Sequence, residues 1–261
     1  MKLYKSVLFF SAPLMVGAAL LAGSSAALAD TIVFSDDFNV PNGPLNGTTP
    51  DIGTGVWAAT AAASNPIQIA SQEVALVNTG EDSYAAFTAP VPATAGKGIL
   101  SSLDITVTAA SAGGDYFFHL SNPAGTTSIF LERLFARSSG NGFQLGLLDT
   151  SGTGSTTTWG TTVLDFGTKY SVDVLWNFVA GASNDTFAVS VNDAPYLTHS
   201  WTSVNAEPAA LAAVNFRQGG SSTFPTVYAD NLVVTSVPEP TTVVLASLMG
   251  ACCVLFRRRV A

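Results

Sequence analysis

The sequence predicts an all-β sandwich, and three observations carry that prediction. Apolar and polar side chains alternate with period two along many short runs, the pattern of a strand with one face buried. Clusters of Gly, Asn, Ser, Thr and Pro separate the runs. No stretch carries a long helical apolar stripe, and no repeat of fixed period points to a propeller or solenoid.

The elements follow in order. A first run covers 31–38, and Pro41-Asn42-Gly43-Pro44 turns the chain. Runs at 67–70, 73–78 and 83–88 come next. Leu103, Ile105 and Val107 then alternate with Asp104, Thr106 and Thr108. Candidate strands at 116–121 and 128–136 precede Phe143, Leu145 and Leu147, which alternate with Gln144 and Gly146. The Gly/Thr/Ser stretch from Thr150 to Thr162 reads as a loop or hairpin tip. Val172, Val174, Trp176 and Phe178 form one alternating face, and Phe187, Val189 and Val191 another. Asn192-Asp193-Ala194-Pro195 followed by Tyr196-Leu197-Thr198 makes a hairpin by its turn chemistry. Runs at 211–217 and 226–235 close the domain. Ala58 to Ala63 and Glu207 to Ala213 do not decide between helix and strand. The boundaries are one domain at 30–236 and a linker from Ser236 to Pro240.

Composition narrows the function. The 261 residues are 48% hydrophobic and only 11% charged, against roughly a quarter charged in an average chain. Residues 30–236 hold 17 acidic side chains against 5 basic ones, a balance of −12. Such a surface repels phosphate backbones, so no nucleic acid partner is expected. The two cysteines, Cys252 and Cys253, are adjacent in a C-terminal apolar run, so the domain rests on a core rather than on disulfides.

Both ends read as addresses. Residues 1–29 form a secretory signal peptide: Lys2 and Lys5 are its basic region, Val7 to Leu21 its apolar stretch, and Ala27-Leu28-Ala29 before Asp30 its cleavage site. An N-terminal anchor that stays in the membrane is the alternative. At the other end stand Pro238-Glu239-Pro240, an uncharged apolar span 241–256, and Arg257-Arg258-Arg259. The span would rise about 24 Å as a helix, slightly short of a bilayer core, and flanking side chains can cover the difference. The arginines predict a cytoplasmic C-terminus. This three-part tail resembles the PEP-CTERM sorting signal of Gram-negative bacteria. The resemblance implies recognition by an exosortase after signal peptidase has acted. It further implies transient anchoring in the inner membrane, then release or attachment at the cell surface or outside the cell, often with exopolysaccharide and biofilm. An ordinary single-span anchor is the alternative.

The domain is similar to concanavalin A-like and laminin-G-like jelly rolls. Phe34-Ser35-Asp36-Asp37-Phe38-Asn39 at its start, Tyr228-Ala229-Asp230-Asn231-Leu232-Val233-Val234 at its end and the hairpin 186–199 carry the likeness. It implies that the first and last strands pair in one sheet. It also implies a Ca²⁺ site between those strands, for which Asp36, Asp37 and Asp230 are the candidates, with strand-end or solvent-facing roles as the alternative. Hard carboxylate oxygens suit that ion. No other cofactor is expected, and an immunoglobulin-like sandwich is the competing fold.

Catalytic patterns are missing. There is no G-x-S-x-G, no H-E-x-x-H and no phosphate-binding loop. The E-x-D-x-x-E strand motif of jelly-roll glucanases is absent, and Glu73, Glu81, Glu132 and Glu207 are scattered. The expectation is therefore a non-enzymatic surface or matrix protein. A carbohydrate-binding, lectin-like module is the alternative, and a divergent polysaccharide-active enzyme comes third. Trp159, in a polar loop, and His119, which would share a sheet face with Phe117, are the candidate sugar contacts. Trp176 reads as core.

Overall fold

The computed structural model describes residues 30–60, 65–122, 130–150, 155–203, 205–219 and 224–238. The signal segment 1–29, Glu239 and Pro240 of the sorting motif, the span 241–256 and Arg257 to Arg259 lie outside them. Among the described residues no helix is long and apolar enough to cross a membrane.

The described chain is all strand and turn. In order it forms β1 (Thr31–Asp36), β2 (Gly43–Pro44), β3 (Thr54–Ala59), β4 (Gln68–Ala70), β5 (Glu73–Leu76), β6 (Asp82–Pro92), β7 (Gly98–Ala109) and β8 (Asp115–Ser121). It continues with β9 (Phe130–Ser139), β10 (Gly142–Thr150), β11 (Thr158–Trp159), β12 (Leu164–Asp165) and β13 (Lys169–Asn177). The last four are β14 (Thr186–Val191), β15 (Ala194–Ser200), β16 (Ala210–Arg217) and β17 (Thr226–Val237). The two undecided stretches are thus settled where described: β3 ends in Ala58 and Ala59, and β16 takes up Ala210 to Ala213.

Two antiparallel sheets face each other. The first runs β15-β14-β13-β7-β17-β5-β4-β2, with β1 also beside β17; the second runs β11-β10-β9-β8-β16-β6-β3, with β12 beside β10. The first and last strands pair as expected, Thr31 opposite Ser236 and Asp36 opposite Leu232. The predicted hairpin is β14–β15, and Asn192 and Asp193 take φ of 50° and 63° at its tip. Two consecutive positive φ values give the turn whose twist matches the flanking strands. The Thr150 to Thr162 stretch is not all loop, because Trp159 and Thr158 pair with Gly146 and Leu147.

The inward faces make one core. Trp57 stacks on Phe216 with ring centroids 5.5 Å apart, and Trp176 stacks on Trp201 at 6.0 Å. Each buried aromatic removes a large apolar area from water, about 1.5–3 kcal/mol for a Phe-sized side chain. The indole N–H groups need partners inside, and both find carboxylates: Trp57 donates to Asp36 at 2.7 Å and Trp176 to Asp185 at 2.8 Å.

Two irregularities set up the outer face of the second sheet. The β8–β9 register slips between Tyr116 and Phe118 and again between Phe118 and Leu120. At the second slip Glu132 takes φ 50°, strained for a side chain with a Cβ. These bulges decide which side chains of β8 and β9 look out.

Candidate functional site

On β8, β9, β10 and β16 the residues Phe118, Leu120, Leu134, Ala136, Leu145, Leu147, Val214 and Phe216 belong to the core. Period-two alternation then turns Arg133, Phe135 and Arg137 of β9 to the opposite face. Tyr116 joins them from β8, where it lies opposite Phe135. Asn215 and Arg217 come from β16, and Trp159 comes from β11, opposite Gly146.

These side chains form a ladder of cations and rings. The Arg217 guanidinium carbon lies 4.1 Å from the Tyr116 ring centroid. Arg133 reaches the same ring at 5.0 Å and Phe135 at 5.6 Å. Phe135 meets Trp159 edge-on at 6.0 Å, and Arg137 lies over Trp159 at 4.3 Å. The ladder crosses five strands, about 19 Å at ordinary strand spacing. All three arginines of a strongly acidic domain therefore share one face of one sheet.

Their charges are balanced differently. Arg217 pairs with Asp115 at 2.8 Å and lies 3.9 Å from Asp82. Burial, opposed by Arg217, pushes Asp82 up to about 6. Among the described residues, Arg133 and Arg137 have no ion pair. Arg133 Nη2 donates to the Thr150 carbonyl at 3.0 Å, while its Nε is buried with no partner. Burial lowers the Arg133 pKa from its usual value.

His119 occupies the middle of the face. It is 1% exposed, and among the described residues neither ring nitrogen has a hydrogen-bond partner. Its ring meets Phe130 at 4.8 Å and Tyr116 at 5.6 Å, both edge-on. Phe117, expected to share its face, belongs to the core, because the bulge at Phe117 shifts the alternation. Burial, helped by Arg133 and Arg217, lowers the imidazole to about 3, so it is neutral at physiological pH. Burial raises the Tyr116 phenol, with both arginines pulling the other way. Next to them Asn215 Nδ2 donates to Ser121 Oγ at 2.9 Å.

Trp159 lies flat over Gly146, where a Cβ would come within 2.6 Å of the indole, and against Gly114, where one would come within 2.7 Å. The other tryptophans, Trp57, Trp176 and Trp201, are core.

The three acidic candidates for a cation do not converge. Asp36 points inward to Trp57, whereas Asp230 lies across from Asp104 and accepts from Lys169 at 3.2 Å. The slip at Asp230, with Asn231 at φ 50°, leaves it on the outer face of the first sheet. Asp36 and Asp37 instead gather with Asp51, their ligand atoms within 4.8 Å of one another. Backbone N–H groups already bind there: Phe38 to Asp36, Asn39 to Asp37 and Asp37 to Asp51. Asp51 thus stands where Asp230 was expected, beside the other two candidates, and each of the three carboxylates accepts from a backbone N–H.

The sequence reading missed Arg133, Arg137, Arg217, Tyr116 and Phe135. The signal was present: Arg133-x-Phe135-x-Arg137 places two cations and a ring on one strand face.

No family model matches the chain, and no curated protein matches it. Solved structures do. The chain is similar to the alginate lyase Aly36B at 13% identity and a TM-score of 0.50, covering 78% of this chain and 96% of that one. It also matches the CBM2 module of the evolved Dit of Lactobacillus casei BL23 phage J-1 at 12% and 0.48, covering 81% and 97%. A third match is the endo-1,3-β-glucanase of Streptomyces sioyaensis at 15% and 0.48, covering 80% and 97%. At these identities the likeness to Aly36B establishes a shared fold. It overturns the expectation of a non-enzymatic domain: this sandwich also carries a polysaccharide lyase, and the motifs sought in the sequence were those of hydrolases, metalloenzymes and phosphate binders. The chain is an all-β sandwich that shares its fold with this alginate lyase.

Proposed function

We propose that the domain is an exported polysaccharide-active protein that takes an acidic, uronate-containing chain on the outer face of its second sheet and cleaves it by β-elimination. The observation that carries this is the ladder of Arg217, Tyr116, Arg133, Phe135, Trp159 and Arg137 around His119 with its two unpartnered nitrogens. Rings offer flat surfaces to sugars, and guanidinium groups match carboxylates. The shared fold of an alginate lyase supports the same direction.

The chemistry follows from what the side chains can hold. Elimination removes the proton at C5 of a uronate, breaks the C4–O bond, forms a C4=C5 double bond and returns a proton to the departing oxygen. Arg133, which has no carboxylate partner among the described residues, would neutralise the substrate carboxylate and stabilise charge that builds at C5. Tyr116, set between Arg133 and Arg217, would take the C5 proton as its phenolate, which both arginines favour, and return a proton from its hydroxyl to the leaving oxygen, with the buried neutral His119 packed against its ring. Asp82 and Asp115 are both engaged by Arg217 and are not needed for this route.

The test is to incubate the purified full-length chain with alginate and with a neutral glucan, and to follow ultraviolet absorbance from the unsaturated product. Elimination gives that signal with alginate alone. New reducing ends without the unsaturated sugar would overturn elimination and point to hydrolysis by Asp82 and Asp115. The export part rests on the sequence: a signal peptide ending at Ala29 and a PEP-CTERM-like tail, with signal peptidase and an exosortase as processing partners. The intact mass of the native protein tests it, since retention of 241–261 would sink the sorting reading.

A further inference from the structure

Arg137 is built differently from the other two arginines. Its guanidinium lies over the Trp159 ring at 4.3 Å, and Nε and Nη2 both donate to Gln144 Oε1, at 3.1 and 2.9 Å. The indole beneath rests on Gly146 and Gly114, two positions where any Cβ would displace it. Gln144 is a neutral partner, so the cation is oriented but not neutralised. No carboxylate among the described residues pairs with it, and the stretches 123–129, 151–154 and 220–223 contain no Asp or Glu. A half-buried guanidinium held in one orientation, with donors still free, is a preorganised carboxylate receptor.

We propose that Arg137, fixed on Trp159 and by Gln144, forms a second carboxylate subsite that makes the face select long polyuronate chains over short ones. This deepens the reading above and rests on it. Arg133 and Arg137 are four residues apart on β9 and share a face, so they are separated by about 13 Å. That distance suits carboxylates on non-adjacent sugars of one chain. A disaccharide seated at Arg133 cannot reach Arg137, whereas a polymer engages both. The second contact is then intramolecular and adds affinity without a change in the chemistry.

The test measures binding and turnover of alginate, and binding of an alginate disaccharide, by the full-length chain and its Arg137→Ala, Arg137→Lys, Gln144→Leu and Arg133→Ala variants, with melting temperatures as a folding control. Arg137→Ala should raise KM for alginate about tenfold, the loss of one charge-assisted contact, with a much smaller effect on binding of the disaccharide. Arg137→Lys should not restore it, because an ammonium cannot bond Gln144 and a carboxylate in one plane. Gln144→Leu should move KM in the same direction by less. Equal effects of Arg137→Ala on polymer and disaccharide, or none on either, would overturn the second subsite while loss of binding in Arg133→Ala keeps the first reading standing. Failure of the unaltered chain to bind either ligand would overturn both.

Discussion

The indole N–H of Trp57 donates a 2.7 Å hydrogen bond to the Asp36 carboxylate inside the core. Phe38 N donates to the other oxygen at 2.9 Å. Burial still wins, with Asp51 and Asp37 adding to it, and Asp36 rises to about 6. A carboxyl whose folded pKa lies above its unfolded value of 3.8 contributes stability that is full below 3.8 and is lost as pH rises through 6. Asp36→Asn should remove that part of the pH dependence between 4 and 6. It should also cost about 1–3 kcal/mol at pH 5, because the amide presents a donor to one of two N–H groups. Urea melts across this range check both statements.

His119 behaves in the opposite sense. Its folded pKa of about 3 lies below the unfolded 6.5, so protons favour the unfolded chain and stability falls as pH drops from 6.5 toward 3. His119→Phe, placed among Phe130 and Tyr116, should change stability at pH 7 by less than about 1 kcal/mol, since no hydrogen bond is lost. It should flatten the acid limb and leave elimination in place, because the buried ring does not meet the substrate. Matched thermal melts and turnover assays check both statements, and lost turnover in a fully stable variant would put His119 in the mechanism.

Glu132 sits at a bulge, 0% exposed, and neither carboxyl oxygen has a hydrogen-bond partner. Burial raises it well above 4.5, and the Ser101 hydroxyl, near it but outside hydrogen-bond geometry, pulls the other way. Its contribution is complete below 4.5 and declines as pH rises toward its folded value. Glu132→Gln should therefore match the unaltered chain near pH 4 and melt several degrees higher at alkaline pH. A lower melting temperature at alkaline pH would show that the carboxylate has a partner in solution.

Gly146 is the floor under Trp159. Gly146→Ala would put a methyl group 2.6 Å from the indole carbons, so the ring must shift or the strand must move. We expect a loss of about 1–3 kcal/mol in stability and the same weakening toward long polyuronate as Arg137→Ala. Tryptophan fluorescence should report the displaced ring.

Much of the fold was legible because half-buried strands write their faces in period two. Val172, Val174 and Trp176 are inward as their alternation implied, and the Asn192-Asp193 turn lies where its chemistry put it. The site was less legible, for two physical reasons. A bulge adds one residue without a sequence mark, so the partner of His119 could not be told from its neighbours: Phe117 went to the core and Tyr116 to the outer face. The ladder also spans β8, β9, β11 and β16, and only the Arg133-Phe135-Arg137 part of it is local in sequence. Asp230 shows the same limit, because a slip of register beside Asn231 separates it from Asp36 and Asp37.

The pairing of β1 with β17 also bears on force. β17 lies inside its sheet, bonded along one side to β7 and along the other to β5 and β1. A pull on the chain beyond Val237 runs lengthwise along this strand. Its hydrogen bonds on both sides are then loaded together in shear and do not open singly from an end. A domain hung from that point on a surface or in a matrix would hold its shape under drag, and the face bearing Arg133 and Arg137, on the other sheet, would stay out of the line of tension.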